Sequence, residues 1–314
     1  MKSDKHSWQQ RAKDHLASVA RPLIVVLGPT GSGKTEFSIQ LAQLIATEPG
    51  RSAEIINADS RQLYRGMDIG TAKITKNEMQ GIPHHLLDLL DPDQEAAAGW
   101  YRNVAIASIA SIHSRGGVPI LVGGSMLYLS AVIDGLSLAP VKDHLLRLRL
   151  EQEYTADKGA SLYARLQSLD PQAAARIHQN NMPHLVRAVE ICELSGQPKS
   201  HTVSTGAAHD FDMLIFGMQI SRDDLVVKIN NRTASMLRSG WFEEVSELMK
   251  CGYTAEDPGM KASGYKEIMR FLRDGAASPI EELATEIAKK TRQYARRQMT
   301  WWKGDERIFW IPKT

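Results

Sequence analysis

Residues 28–35 read GPTGSGKT, which puts Gly28, Gly33, Lys34 and Thr35 at the spacing G-x-x-x-x-G-K-[ST], directly after the apolar run LIVVL. These residue types suit a polyphosphate. Glycines let successive backbone N–H groups turn toward phosphate oxygens, Lys34 adds a movable cation, and Thr35 offers a hydroxyl to Mg²⁺. Thr30, Gly31 and Ser32 complete the expected cradle. A second candidate is Asp59, which ends the stretch AEIINAD and precedes Ser60, Arg61, Gln62 and Tyr64. An acid in that place serves as a metal partner, a general base or a helix N-cap. The third is the turn Gly123-Gly124-Ser125 within PILVGGSMLY. Nucleotide hydrolysis of the usual kind needs a strand that ends in Asp to hold Mg²⁺. Here the strand ends in Gly-Gly-Ser, so the loop points to phosphate chemistry other than ATP hydrolysis. Which phosphate compound it holds is not written in the loop.

The elements around these residues follow from periodicity. After the loop, Phe37, Leu41, Leu44 and Ile45 fall at i, i+4, i+7 and i+8, the spacing of one buried helical face. AEIINAD reads as a strand that ends at Asp59, and VPILVGG from Val118 to Gly124 as another, after the helical stretch Trp100 to Ser114. Alternating strands and helices of this kind build a parallel sheet whose C-terminal edge carries the ligand. From about Leu138 to His209 the texture changes to helices without strands. A strand signal returns at MLIFGMQI, helices run from Arg222 to Trp302, and RIFWI is a late strand. The expected fold class is α/β: a P-loop-type parallel sheet flanked by helices, with an inserted all-helical subdomain. Residues 1–21 form an N-terminal extension, helical or frayed, with a transit peptide as second choice. Residues 22–137 and 210–314 form the catalytic core with a basic C-terminal helix, and 138–209 the insertion.

The chain has 314 residues, 43% hydrophobic and 24% charged, the composition of a soluble globular protein. No apolar stretch is long enough to span a bilayer. Cys192 and Cys251 are too few and too far apart for a disulfide framework or a zinc site, and are expected as reduced thiols in a cytoplasmic protein. Net charge is only +2, but its distribution is uneven. Between Ile287 and Lys303 stand Lys289, Lys290, Arg292, Arg296, Arg297 and Lys303 with no acidic residue, and Tyr294, Trp301 and Trp302 lie among them. A solvated helix face usually mixes signs, whereas same-sign clustering is relieved by a polyanion.

Longer motifs carry a resemblance. INADSRQLYRGMDIGTAK, HHLLDLLDP, LVGGSMLYLSAVIDGL, LDPQAAARIHQNN, LVRAVEI, SGYKEI and TRQYARRQMTWWK, in that order, resemble the tRNA dimethylallyltransferases, from Pro22 to Trp310. The resemblance implies transfer of a dimethylallyl group from dimethylallyl diphosphate to N6 of the adenosine on the 3′ side of the anticodon. It implies that the loop binds the diphosphate, that Lys34 and Mg²⁺ on Thr35 neutralise the leaving group, and that Asp59 is the general base. Ser125, where the family has Thr, would bond the bridging or leaving oxygen or orient Asp59, and Arg232 would contact the diphosphate. The target adenine must be extruded from the anticodon stem-loop. Ser60 and Gln62 would bond its edge, with Arg61 beside them, while Arg147, the segment from His184 to Arg187, Lys261 to Lys266, and Arg296, Arg297 and Lys303 would lie against tRNA. Tyr64, Tyr128 and Trp301 are candidates for stacking on bases, or for the core.

Departures from the family pattern are Gly31 for Ala, Ser125 for Thr, and Asn181 and His184 where Asp and Arg are common. His84 and His85 are read as structural, because neighbours in sequence diverge in a strand or helix. The expected form is a monomer. The alternatives are an adenylate isopentenyltransferase, which would need neither the insertion nor the basic helix; a small-molecule kinase, which the loop fits equally well; and an RNA-binding module that uses a nucleotide as a switch.

Overall fold

The computed structural model describes residues 7–135, 143–202 and 210–312. They fall into two compact units. One holds the described residues up to Ala96, Tyr101–Leu129 and those from Asp210 onward; the other holds Ala97–Trp100 and those between Ser130 and Asp210.

The first unit is built on six parallel strands: β1 (Pro22–Leu27), β2 (Ala53–Ala58), β3 (His84–His85), β4 (Val118–Gly123), β5 (Asp212–Gln219) and β6 (Ile308–Pro312). Their order across the sheet is β3-β2-β4-β1-β5-β6. Every residue of β1 and β4 is buried. That is why both read as unbroken apolar runs: a parallel sheet covered on both faces has no polar side to alternate with. Helix α1 (Ser7–Ser18) sends Ala12 and Leu16 into the core cluster that contains Phe37 and Leu41 of α2 (Lys34–Ala46). Leu44 of α2 is only partly buried, so the apolar stripe is narrower than its spacing predicts. Helices α3 (Ala98–Ser114) and α4 (Met126–Ile133) flank β4 in sequence.

Helices α5 (His144–Asp157), α6 (Ala160–Leu169), α7 (Pro171–Ala174), α8 (Met182–Ser195) and α9 (Lys199–Thr202) belong to the second unit. Leu150, Leu162, Leu166, Leu185, Val186 and Val189 close its core. Asp170 caps α7, accepting from the N–H of Ala173 at 2.9 Å.

In the first unit β5 leads to α10 (Arg222–Arg238), α11 (Trp241–Lys250), α12 (Tyr265–Arg273) and α13 (Ile280–Trp302). Ser221 caps α10 through the N–H of Asp224. Helices α10 and α13 meet through Ile229, Ala288 and Ala295, while Trp241, Tyr265 and Ile268 anchor a separate apolar cluster with Ile287.

Strand register positions the site. Leu27 of β1 pairs with Gly123 of β4, and Gly123 in turn pairs with Ala58 of β2. The three following segments, at Gly28, Asp59 and Gly124, therefore leave the sheet at one level of its C-terminal edge. Gly123 is required there because a Cβ would stand 2.2 Å from the carbonyl oxygen of Ala58.

Candidate active site

Gly33, at φ 90°, opens α2, a left-handed conformation that glycine adopts without strain. The first amides of the helix have no intrahelical acceptor and present a positive end to an anion. Thr30, Gly31, Gly33, Lys34 and Thr35 line a cavity of about 450 Å³. Gly28 and Ser32 are not part of that lining: Ser32 is fully buried, and its N–H closes a turn on the Pro29 carbonyl at 3.2 Å. Its side chain packs inside the loop that its amide helps to close. Lys34 Nζ donates to the carbonyls of Gly28 and Pro29 at 3.0 and 2.8 Å. Burial pulls its pKa from 10.5 down to about 8; Asp59 opposes that shift and Arg232 adds to it. Arg232 is itself lowered by burial and sustained by Asp59. Two cations and one carboxylate therefore share one electrostatic neighbourhood.

Asp59 sits in a turn held from several sides. Asn57 Oδ1 accepts the N–H of Asp59 at 2.9 Å, and Asn57 Nδ2 donates to the carbonyls of Asp59 and Leu86 at 3.0 and 2.9 Å. One carboxylate oxygen of Asp59 accepts the N–H of Arg61 at 2.9 Å. Ser125 Oγ accepts the N–H of Ser60 at 2.8 Å and donates to Ser60 Oγ at 3.0 Å. The hydroxyl of Ser125 is thus committed to the turn that carries Asp59. Gln62 donates to the carbonyls of Thr71 and Ala72 at 3.3 and 3.1 Å and lines the cavity on the loop side.

A second cavity of about 520 Å³ is lined by Ser60, Arg61, Lys261, Lys266, Tyr294 and Arg297 among others, with Trp241 also in its wall. The two cavities share Thr30, Asp59, Thr71 and Arg232. One thus has the loop at residues 28–35, the other a cationic wall, and Asp59 borders both.

A family model described as IPP transferase matches residues 62–305. A tRNA dimethylallyltransferase of Geobacter sulfurreducens is 41% identical over 92% of this chain and 91% of its own. That of Thermobifida fusca is 42% identical over 92% and 89%.

The chain belongs to the IPP transferase family.

Among solved structures, the full-length tRNA isopentenylpyrophosphate transferase of Bacillus halodurans has a TM-score of 0.67 at 36% identity, covering 93% of this chain and 90% of that one. A eukaryotic dimethylallyltransferase acting on tRNA has a TM-score of 0.76 at 28% identity, covering 93% and 74%. The α/β parallel-sheet fold is thus the fold of IPP transferases.

Other expected site residues are distributed as follows. Lys261 and Lys266 face Glu256 at 4.0 and 3.7 Å. The Arg297 guanidinium lies 5.7 Å from the Tyr294 ring centre, on the cavity side of α13. Arg296 belongs to a different groove, shared with Lys289, Arg292 and Arg222. Lys303 caps the C-terminal end of α13. In the helical unit Arg147 pairs with Glu151 at 3.1 Å, Arg187 with the fully buried Glu190 at 2.8 Å, and His184 is exposed in the first turn of α8. Tyr64 and Tyr128 are 2% and 5% exposed, with their hydroxyls on the carbonyls of Gln94 and Ala96. Of the two uses expected for them, burial gives both tyrosines the core one, and Tyr128 stacks on Tyr101 with centroids 4.0 Å apart. Trp301 remains 49% exposed. His84 Nδ1 donates to the Ile82 carbonyl at 2.8 Å, and His85 Nε2 meets Glu54 at 2.6 Å.

Thr71 and Trp241 line the second cavity and Gln298 bonds Thr30, none of them expected there from the sequence. Gln298 had a signal: it falls on the helix face of Ile287, Ala295 and Trp302, where a polar side chain must find partners. Lys290, one of the basic run between Ile287 and Lys303, is bound to Glu267 and Glu286 at 2.6 and 3.0 Å.

Proposed function

We propose that this protein transfers the dimethylallyl group of dimethylallyl diphosphate to N6 of the adenosine on the 3′ side of the anticodon in tRNA. The observation that carries the reading is that two cavities of different chemistry meet at Asp59. The loop-side cavity suits a diphosphate, and its apolar residues Ile55, Ile74, Leu87 and Val122 suit a short prenyl chain. The other, walled by Lys261, Lys266 and Arg297, suits an extruded base carried on a phosphate backbone.

In the proposed step N6 bonds to the allylic carbon as the carbon–oxygen bond to diphosphate breaks. The N6 proton passes to Asp59, and the departing diphosphate takes the bonding electron pair. An exocyclic adenine amine is a weak nucleophile, so a base beside it lowers the barrier. Lys34, Arg232 and the loop amides of Gly31, Gly33 and Thr35 stabilise charge that grows on the leaving group. The commitment of Ser125 to Ser60 supports its role in orienting Asp59 rather than in touching diphosphate. Among the described residues no group of three or more His, Cys, Asp or Glu could hold a metal ion alone. The donor set fits Mg²⁺ held by the exposed Thr35 hydroxyl together with diphosphate oxygens, where the ion would supply further charge neutralisation. Arg147, His184, Arg187, Arg296 and Lys303 are proposed tRNA contacts, as are Ser60, Arg61 and Gln62 near the base. A cytoplasmic monomer is the proposed form, which sedimentation of the purified protein would check.

The helical unit and the basic α13 favour tRNA over free adenylate as acceptor. Asp59→Asn is expected to lower turnover by a factor on the order of 10² to 10⁴ while tRNA affinity stays within a few fold. Turnover equal to the parent enzyme would remove Asp59 from the base role.

A further inference from the structure

Gln298 is 1% exposed, on the inward side of an otherwise basic stretch of α13. Its carboxamide joins two segments distant in sequence. Oε1 accepts the N–H of Thr30 at 2.9 Å, and Nε2 donates to the carbonyl of Gly124 at 2.7 Å. The first partner lies in the phosphate loop and itself lines the proposed diphosphate side. The second directly precedes Ser125, whose hydroxyl holds Ser60 and through it the Asp59 turn. A Cβ on Gly124 would stand 2.2 Å from Gln298 Nε2, so that glycine leaves the room the amide occupies.

We propose that Gln298 is a positioning residue that sets the separation between the phosphate loop and Asp59, and so between the donor diphosphate and the base. A primary amide suits this place because it offers one acceptor and one donor in a single plane. An ionised carboxylate presents only acceptors, and a leucine presents neither. Either replacement leaves a buried backbone group without its partner, and the two loops lose their common strut. Displacement of reacting groups by about 1 Å costs on the order of 10²-fold in rate. The inference uses the proposed prenyl transfer as its kinetic readout and has a second readout that does not.

The experiment compares full-length wild type, Gln298→Leu and Gln298→Glu. Gln298→Leu is expected to lower kcat for tRNA prenylation by about 10²-fold, with tRNA affinity within a few fold because the side chain is buried. Gln298→Glu is the stronger test. Its protonated carboxyl has one donor and one acceptor, like the amide, so its kcat relative to wild type should rise as pH falls. The slope should approach about tenfold per pH unit above a carboxyl pKa that burial raises. A merely structural role predicts a ratio that does not follow pH. In parallel, amide hydrogen exchange at Thr30, taken relative to wild type at the same pH, should accelerate in Gln298→Leu, which offers no acceptor, and stay protected in Gln298→Glu, whose carboxyl accepts in either protonation state. If wild type does not prenylate tRNA, the proposed reaction fails while the exchange readout still decides the strut. Both variants turning over like wild type, or unchanged Thr30 exchange in Gln298→Leu, would overturn the inference.

Discussion

The ammonium of Lys34 offers a quantitative prediction about donor binding. Burial lowers its pKa from 10.5 to about 8, which corresponds to about 3 kcal/mol of disfavour for the charged form. The side chain is partly accessible from the loop cavity, so that figure is an upper estimate. At about pH 7 the free protein carries the charge already, whereas at about pH 9 roughly nine-tenths of the molecules carry a neutral amine. A diphosphate beside the amine favours the charged form, so binding at about pH 9 should take up close to one proton, and at about pH 7 close to none. Affinity should weaken by roughly tenfold per pH unit above 8. The assay is calorimetric titration with a non-reactive donor analogue in two buffers of different ionisation enthalpy, which reports the protons directly. The sign of the stability effect follows from the same shift. Between about pH 8 and 10.5 the unfolded chain holds the extra proton, so the contribution of Lys34 makes the unliganded fold more stable as pH rises. Lys34→Met should abolish the proton uptake. Uptake of no proton at about pH 9, with affinity flat across that range, would refute the reasoning.

Two further outcomes follow from contacts in the site. Ser125→Ala should slow turnover by about tenfold or more, because it leaves the N–H of Ser60 without its acceptor, while Ser125→Thr keeps the hydroxyl and should stay near the parent rate; equal rates for both would remove Ser125 from the orienting role. Gly123→Ala should lower stability by about 1–3 kcal/mol in denaturant titration, since its Cβ would press on the Ala58 carbonyl at 2.2 Å; an unchanged midpoint would contradict the close packing of β2 against β4.

The residues most legible in the sequence are those tied to strand ends. The loop at Gly28, the acid at Asp59 and the turn at Ser125 each follow an apolar run, and parallel pairing necessarily delivers such positions to one edge. What lay beyond reach depends on approach between distant segments. Gln298 meets Thr30 across 268 residues, and no local pattern names that partner. Lys290 reads as one more cation in a basic run until Glu267 and Glu286 are seen beside it. Tyr64 and Tyr128 carry the same side chain that stacks on bases elsewhere, and only burial separates the two uses.

The most direct test of the central claim is product identification. Purified protein, Mg²⁺ and labelled dimethylallyl diphosphate are incubated with unmodified tRNA or with AMP, and the nucleosides are separated after digestion. The account predicts label on N6 of the adenosine 3′ of the anticodon, with none on AMP. Label on AMP without label in tRNA would contradict it.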